Sequence, residues 1–273
     1  VVSTWGAGIY GIIAFAMQMI LILVTGYCLA LTRPVRKLLD WVAGFATTPV
    51  KGAMITVFVA SFAGLINWGF SLIVGGFLAL EIANRQRKSD FPLLIAAAYA
   101  GLGIWHMGFS GSVPLLLATS KSALNLIEKI TGQTVPVSET ILASWNLIPA
   151  AIMLITIPII FYLIHPKEED VVSISPERVK ALLGETVEVE KPANPTLAER
   201  IDHSYIVNFV FAAMGVAYLS WHFWKKGFDL NLDVVIFIFF ILGVILHRKP
   251  INYVQAVNTA IKACGGIALQ FPL

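Results

Sequence analysis

The sequence predicts an all-α integral membrane protein built around a re-entrant hairpin and a broken transmembrane helix. Three observations carry this. Of the 273 residues, 58% are hydrophobic and only 13% charged, where soluble domains carry about 25% charge; the mean hydropathy is +0.80. The apolar residues gather in segments long enough to span, since about 20 residues cross the hydrocarbon core. Finally, the two segments between Gly52 and Ser120 are each interrupted by a polar, glycine-rich break. One break reads Ser61-Phe-Ala-Gly-Leu-Ile-Asn67-Trp68-Gly69-Phe-Ser71, the other Gly103-Ile-Trp105-His106-Met-Gly108-Phe-Ser110-Gly111-Ser112-Val-Pro114. In lipid, backbone groups freed by a break must be satisfied by protein or by a watery cavity, and paired breaks point to a mid-membrane binding site.

The first repeat is expected over residues 1–164. Its first span, 9–31, carries one polar residue at mid-depth, Gln18. The basic loop Arg33, Arg36, Lys37 leads into an amphipathic stretch with Trp41 at headgroup level. Residues 52–83 are too long for one ordinary span. Basic clusters flank them on both sides, Arg33, Arg36, Lys37 and Lys51 before and Arg85, Arg87 and Lys88 after. A single crossing would put one cluster on the wrong side under the positive-inside rule. A hairpin turning at Asn67-Trp68-Gly69, favoured here over one long tilted span, puts both in the cytoplasm, with arms of about 15 residues, half a membrane deep.

The broken helix 91–119 then crosses outward, an outer loop follows, and the span 141–164 returns, with Pro149 and Pro158 as kink points. Residues 165–203 form a cytoplasmic linker with nine acidic and five basic side chains, including a short helix capped by Ser175, Pro176 and Gly184. Spans follow at 205–224 and 234–246, and a further segment begins near Tyr253. The chain opens without methionine and stops inside an apolar run, so we expect a piece of a longer chain, truncated at both ends.

The two ends share a pattern. Ile9, Ala16, Gln18 and Leu21 fall on Ile261, Ala268, Gln270 and Leu273, and the loop charges orient the two segments oppositely. This predicts an inverted-repeat secondary transporter, with 204–273 holding the start of the second repeat.

The net charge of +3 sits in loops and gives no sign of nucleic acid. Cys28 and Cys264 lie in apolar segments, which predicts reduced, buried thiols, and no metal-ligand spacing or signal peptide is present. There is no P-loop, Gly-x-Ser-x-Gly or His-Glu-x-x-His. Ser110 and Ser112 beside His106 lack an orienting acid, which argues against a membrane hydrolase. No charge lies in the middle of a span, so no carboxylate proton relay is visible.

The breaks offer uncharged ligands. Asn67 can bind through its amide or simply cap a hairpin. Gly108, Gly111 and the amides near Ser110 and Ser112 can start a half-helix whose positive end favours a monocarboxylate, or the glycines can serve close packing. His106, the one titratable side chain placed in the membrane zone, can couple a proton or act as a neutral hydrogen-bonding group. Trp68 and Trp105 can wall a pocket or pack in the core. Gln18 and Gln270 can face the cavity or cross-link helices.

Leu-Ile-Asn67-Trp68-Gly69, the stretch Trp105 to Pro114, and Gly266-Ile-Ala-Leu-Gln270-Phe-Pro resemble the bacterial short-chain fatty acid transporters of the acetoacetate/butyrate uptake type, over almost the whole chain. That family belongs to the ion transporter superfamily of inverted-repeat carriers. The resemblance implies a bacterial inner-membrane, multi-pass carrier of small monocarboxylates with no cofactor beyond a coupling H+ or Na+. It also implies a homodimer in membrane lipid, and broken helices near the substrate. A sodium ion would sit on carbonyls near Asn67 and Ser110. Two other readings stand beside it: a gradient-independent channel or facilitator for small acids, and a non-transporting membrane sensor with the 165–203 loop as output.

Overall fold

The computed structural model describes residues 12–183, 189 and 191–270. Its α-helices are α1 (Ile13–Ala30), α2 (Arg33–Ala43), α3 (Pro49–Ile66), α4 (Trp68–Arg85), α5 (Phe91–Ala100), α6 (Ser112–Ala118), α7 (Leu126–Thr131), α8 (Ser144–Leu163), α9 (Pro176–Leu183), α10 (Leu197–Asp202), α11 (Tyr205–Lys226), α12 (Leu232–His247), α13 (Pro250–Ala260) and α14 (Gly265–Gln270). A 3₁₀ segment, Gly101–Met107, follows α5. Among the described residues, five stretches are long and apolar enough to cross a membrane: α1, α3, Phe91–Ala118, α8 and α11. The chain divides into two compact units, one formed by 33–186 with 229–231, the other by 1–32 with 187–228 and 232–273.

In the 33–186 unit the helix starts follow their sequence signals. Thr48 accepts Lys51 N–H at 3.3 Å with Pro49 at the first turn, and Asp90 accepts Leu93 N–H at 2.7 Å at the head of α5. Asn67 ends α3 in an extended conformation, and its Oδ1 accepts Phe70 N–H at 2.9 Å to start α4. The two arms run antiparallel. Gly64 faces Ser71, Ala60 faces Gly75, and Gly52 faces Ile82, so facing residues step away from Asn67 by near-equal amounts. Sequence reasoning placed the turn at Asn67, and the chain turns there. Each arm has 18 residues rather than about 15. At 1.5 Å per residue an arm is about 27 Å long, close to the thickness of the hydrocarbon core.

The chain from α5 runs beside α3 in the same direction, with Gly101 against Ala60 and Ser61 and Gly108 against Leu65. A methyl on Gly101 would come within 2.4 Å of Ala60 Cβ, so only glycine permits this crossing. Helix α8 is continuous through Pro149 and Pro158. Its apolar side chains, such as Ile148, Ile152 and Ile155, are mostly exposed, as a lipid-facing surface would be.

Residues 172–183 of the expected linker are bonded to the helices of the 33–186 unit. Asp90 Oδ2 accepts Val172 N–H at 2.9 Å while Phe91 N–H donates to Val172 C=O at 2.9 Å. Helix α9 begins with Ser175 accepting Arg178 N–H at 3.4 Å, and Arg36 donates to its last carbonyl, Leu183, at 2.7 Å. The C-cap expected at Gly184 lies outside the described residues.

In the other unit, α1 and α12 run parallel. Gln18 Nε2 donates to Asp233 Oδ1 at 2.7 Å near one end, and His247 Nε2 donates to Cys28 C=O at 2.8 Å near the other. Helix α11 runs antiparallel to α12, with Asn208 Nδ2 donating to Val244 C=O at 2.5 Å and Gly215 seated against Ile241.

Candidate functional site

The two breaks meet. Phe109 N–H donates to Leu65 C=O at 2.7 Å, and Ser110 Oγ accepts the N–H of Trp68, the first residue of α4. The second break thus takes up a carbonyl left over at the end of α3 and a donor left over at the start of α4, the groups every helix terminus leaves unsatisfied. Gly108 makes the approach feasible. A Cβ there would stand 1.9 Å from Leu65 O and 2.4 Å from Leu65 Cα. Gly111 N–H closes back on Gly108 C=O at 2.9 Å, and a Cβ on Gly111 would fall 2.6 Å from His106 O. Asn67 and Ser110 are buried, at 1% and 2% exposure.

The chain tightens from α-helix into 3₁₀ at Gly101 and stretches out at Gly108, with φ −117° and ψ −165°. Leu65 to Ser71 and His106 to Ser112 are uncharged apart from the His106 ring, so the junction depends on backbone groups, amides and hydroxyls. Ser112 opens α6, which is seven residues long and has no side-chain cap. Gly69 is buried, Trp68, Trp105 and Ser112 are half-buried, and His106 is exposed with its ring edge-on to Trp105 at 5.9 Å.

Eight of the ten singled-out residues, Asn67, Trp68, Gly69, His106, Gly108, Ser110, Gly111 and Ser112, lie in this junction of the 33–186 unit. Gln18 belongs to the other unit and spends its amide on Asp233, the cross-linking role. The side chain of Gln270 lies outside what the structure describes.

Sequence reasoning missed one residue that holds the junction. Asn146 Nδ2, in the first turn of α8, donates to Met107 C=O at 2.7 Å and to Ile141 C=O at 2.8 Å. The signal was a lone amide three residues before Pro149. This bond also fixes the level of the junction. It stands at the first turn of α8, opposite the end where Pro49, Arg85 and His165 come together around one cavity. The breaks therefore meet near one end of the bundle, not at its midpoint.

Long apolar helices, two of them interrupted and docked through their own backbone, define a multi-pass α-helical membrane protein. The chain belongs to the short chain fatty acid transporter family, whose profile matches residues 1–273. It is 41% identical over 273 residues to a protein of Escherichia coli K12 named "Putative short-chain fatty acid transporter", covering 99% of this chain and 60% of that one. A Haemophilus influenzae protein of the same name is 37% identical over 274 residues, covering 99% and 61%. The chain thus spans about three fifths of the length of these curated relatives. No solved structure matches it. The names are those of transporters, not of enzymes.

Proposed function

We propose that this chain forms the substrate-handling part of a secondary active transporter of short-chain fatty acids, small monocarboxylates such as butyrate or acetoacetate. It would work by alternating access in symport with H+ or Na+, in the bacterial inner membrane. The observation that carries this is the docking of the two breaks through Trp68 N–H, Ser110 Oγ, Phe109 N–H and Leu65 C=O.

In the docked state these groups satisfy one another. When the breaks part, the start of α4 regains a free donor at the positive end of an 18-residue helix. A carboxylate can take the place of Ser110 Oγ on Trp68 N–H, with the Ser110 hydroxyl as a second donor. One negative charge held this way needs no buried arginine. The half-buried Trp68 and Trp105 would flank a short acyl chain. A sodium ion would take the carbonyl freed at Leu65, beside Asn67 and Ser110, and a proton would use His106. Substrate and ion thus compete with the protein's own capping bonds, which ties occupancy to separation of the breaks. The inverted repeat pairing Gln18 with Gln270, a hairpin re-entering the membrane from the cytoplasmic side, and a homodimer belong to the same reading.

The test is uptake of labelled butyrate by proteoliposomes of the full-length protein, with proton and sodium gradients imposed separately and succinate as competitor. Accumulation above equilibrium under one gradient establishes the carrier and its ion. Equilibration without accumulation makes it a facilitator. Absence of butyrate flux, or strong competition by succinate, refutes the substrate assignment.

A further inference from the structure

At the end of the 33–186 unit opposite the junction, both feet of the α3–α4 hairpin and the chain leaving α8 enclose a cavity of about 780 Å³. Arg85, Arg87, Lys88, His165 and Lys167 line it, against one carboxylate, Glu168. Pro49 and Val50 bring the start of α3 to the same wall, adding the positive end of an 18-residue helix. Arg85 is neutralised by Asp40 at 2.5 Å. Arg87, Lys88 and Lys167 make no ion pair among the described residues.

Three unpaired cationic side chains, a histidine and a helix start gathered around one concavity, against a single lining carboxylate, favour an anion within it. Beside the cavity lies α2, tied to its rim by the Asp40–Arg85 pair, and the turn after it is held by Gln86, which donates to Ala46 C=O at 2.7 Å. Leu38, Trp41 and Phe45 stand exposed there by 55%, 63% and 55%. The Trp41 and Phe45 rings meet edge-on at 4.8 Å. An amphipathic helix with an exposed tryptophan lies at headgroup depth, and the loop charges assign this end to the cytoplasm.

We propose that this cavity binds a phosphate-bearing anion, the headgroup of an anionic phospholipid of the cytoplasmic leaflet. The phosphate sits among Arg87, Lys88 and Lys167, and the acyl chains leave along Leu38, Trp41 and Phe45. The volume lies within the range of ligand pockets and exceeds what a bare phosphate fills. Basic pockets beside membrane helices on the cytoplasmic side recognise such headgroups. The inference rests on the membrane orientation and not on the transported substrate.

The experiment uses the full-length protein in nanodiscs of phosphatidylcholine with increasing phosphatidylglycerol, reading retained lipid by native mass spectrometry and Trp41 quenching by brominated phosphatidylglycerol. Phosphatidylglycerol should be retained in preference to phosphatidylcholine. The triple variant R87Q/K88Q/K167Q should bind it about a hundredfold more weakly, since each basic residue contributes about fivefold at an anionic surface. K121Q/K225Q/K226Q, which removes the same charge at positions that do not line this cavity, should bind as the native protein does. Displacement by millimolar inorganic phosphate would keep the phosphate site and move its source from lipid to solution. Equal retention by the R87Q/K88Q/K167Q protein and the native one would overturn the proposal, as would equal retention of the two lipids.

Discussion

Replacing Gly108 with alanine isolates the contact on which the junction rests. The residue's φ of −117° and ψ of −165° suit any L-amino acid, so the substitution introduces no backbone strain of its own. Its whole effect comes from space. The new Cβ would lie 1.9 Å from Leu65 O and 2.5 Å from Leu65 C, and these are backbone atoms that no side-chain rotation can clear. Reaching even 3.0 Å, the closest that real Cβ contacts allow, requires the breaks to separate by about 1.1 Å (3.0 minus 1.9). That stretches the 2.7 Å bond from Phe109 to Leu65 to about 3.8 Å, beyond hydrogen-bond range. It also pulls Ser110 from Trp68. Leaving two buried donors or acceptors unsatisfied costs about 1–3 kcal/mol each, so about 2–6 kcal/mol in all, a large share of the total stability of a domain. At about 2–4 °C per kcal/mol for a chain of this size, the melting temperature in detergent should fall by roughly 5–20 °C. Butyrate uptake in proteoliposomes should fall at least tenfold. Gly76→Ala and Gly103→Ala are the controls, because a Cβ at either position meets nothing within 4 Å, and both should melt at or above the native temperature. A Gly108→Ala protein that melts and transports like the native one would refute the docking of the two breaks.

Three further substitutions probe the junction, and one titration probes the other unit. Ser110→Ala deprives Trp68 N–H of its acceptor and should lower stability by about 1–3 kcal/mol, read from chemical denaturation; an unchanged midpoint would show that the hydroxyl is not the cap. Asn146→Leu keeps the size of the side chain but drops the bonds to Met107 and Ile141, and a loss of about 1–3 kcal/mol should accompany reduced uptake. His106→Gln changes an exposed ring and should leave melting untouched while abolishing accumulation driven by a proton gradient; persistence of that accumulation would remove His106 from coupling. The capping box at α10 is pH-sensitive. The backbone N–H and hydroxyl of Thr196 hold the Glu199 carboxyl below the usual carboxylate range. A depressed folded-state pKa lends stability above the ordinary value of about 4.3, and that stability disappears as pH falls through the lower folded value. Amide protection across 197–202 should therefore drop below about pH 4, and protection that is constant down to pH 3 would contradict the box.

Much of this architecture is legible in the sequence because lipid makes polar interruptions conspicuous. Asn67 within an apolar run marked the place where the chain turns, and the basic residues on both sides of 52–83 were the reason to expect a hairpin rather than one long tilted span. The glycines of the second break were equally visible, but their individual roles were not. Gly101 and Gly108 touch the backbone of α3, while Gly103 and Gly76 touch nothing, and composition cannot separate them. Asp233 was assigned just outside a span, so the partner of Gln18 could not be inferred from either residue. The docking of Val172 onto Asp90 joins residues far apart in the chain and leaves no periodic trace.

The level of the junction shows why local reading stops where it does. Symmetry of a hairpin about Asn67 says where the chain turns, but the depth of that turn depends on what the tip is bonded to. Here the tip is held by Phe109 and Ser110, and their segment is held in turn through Met107 by Asn146 at the first turn of α8. Three segments that are distant in sequence therefore set one height, about 27 Å from the feet of the hairpin. Under the proposed mechanism, parting the two breaks would stretch the bond to Asn146 or carry α8 with it. Movement of the tip is thereby linked to the helix whose far end opens onto the basic cavity.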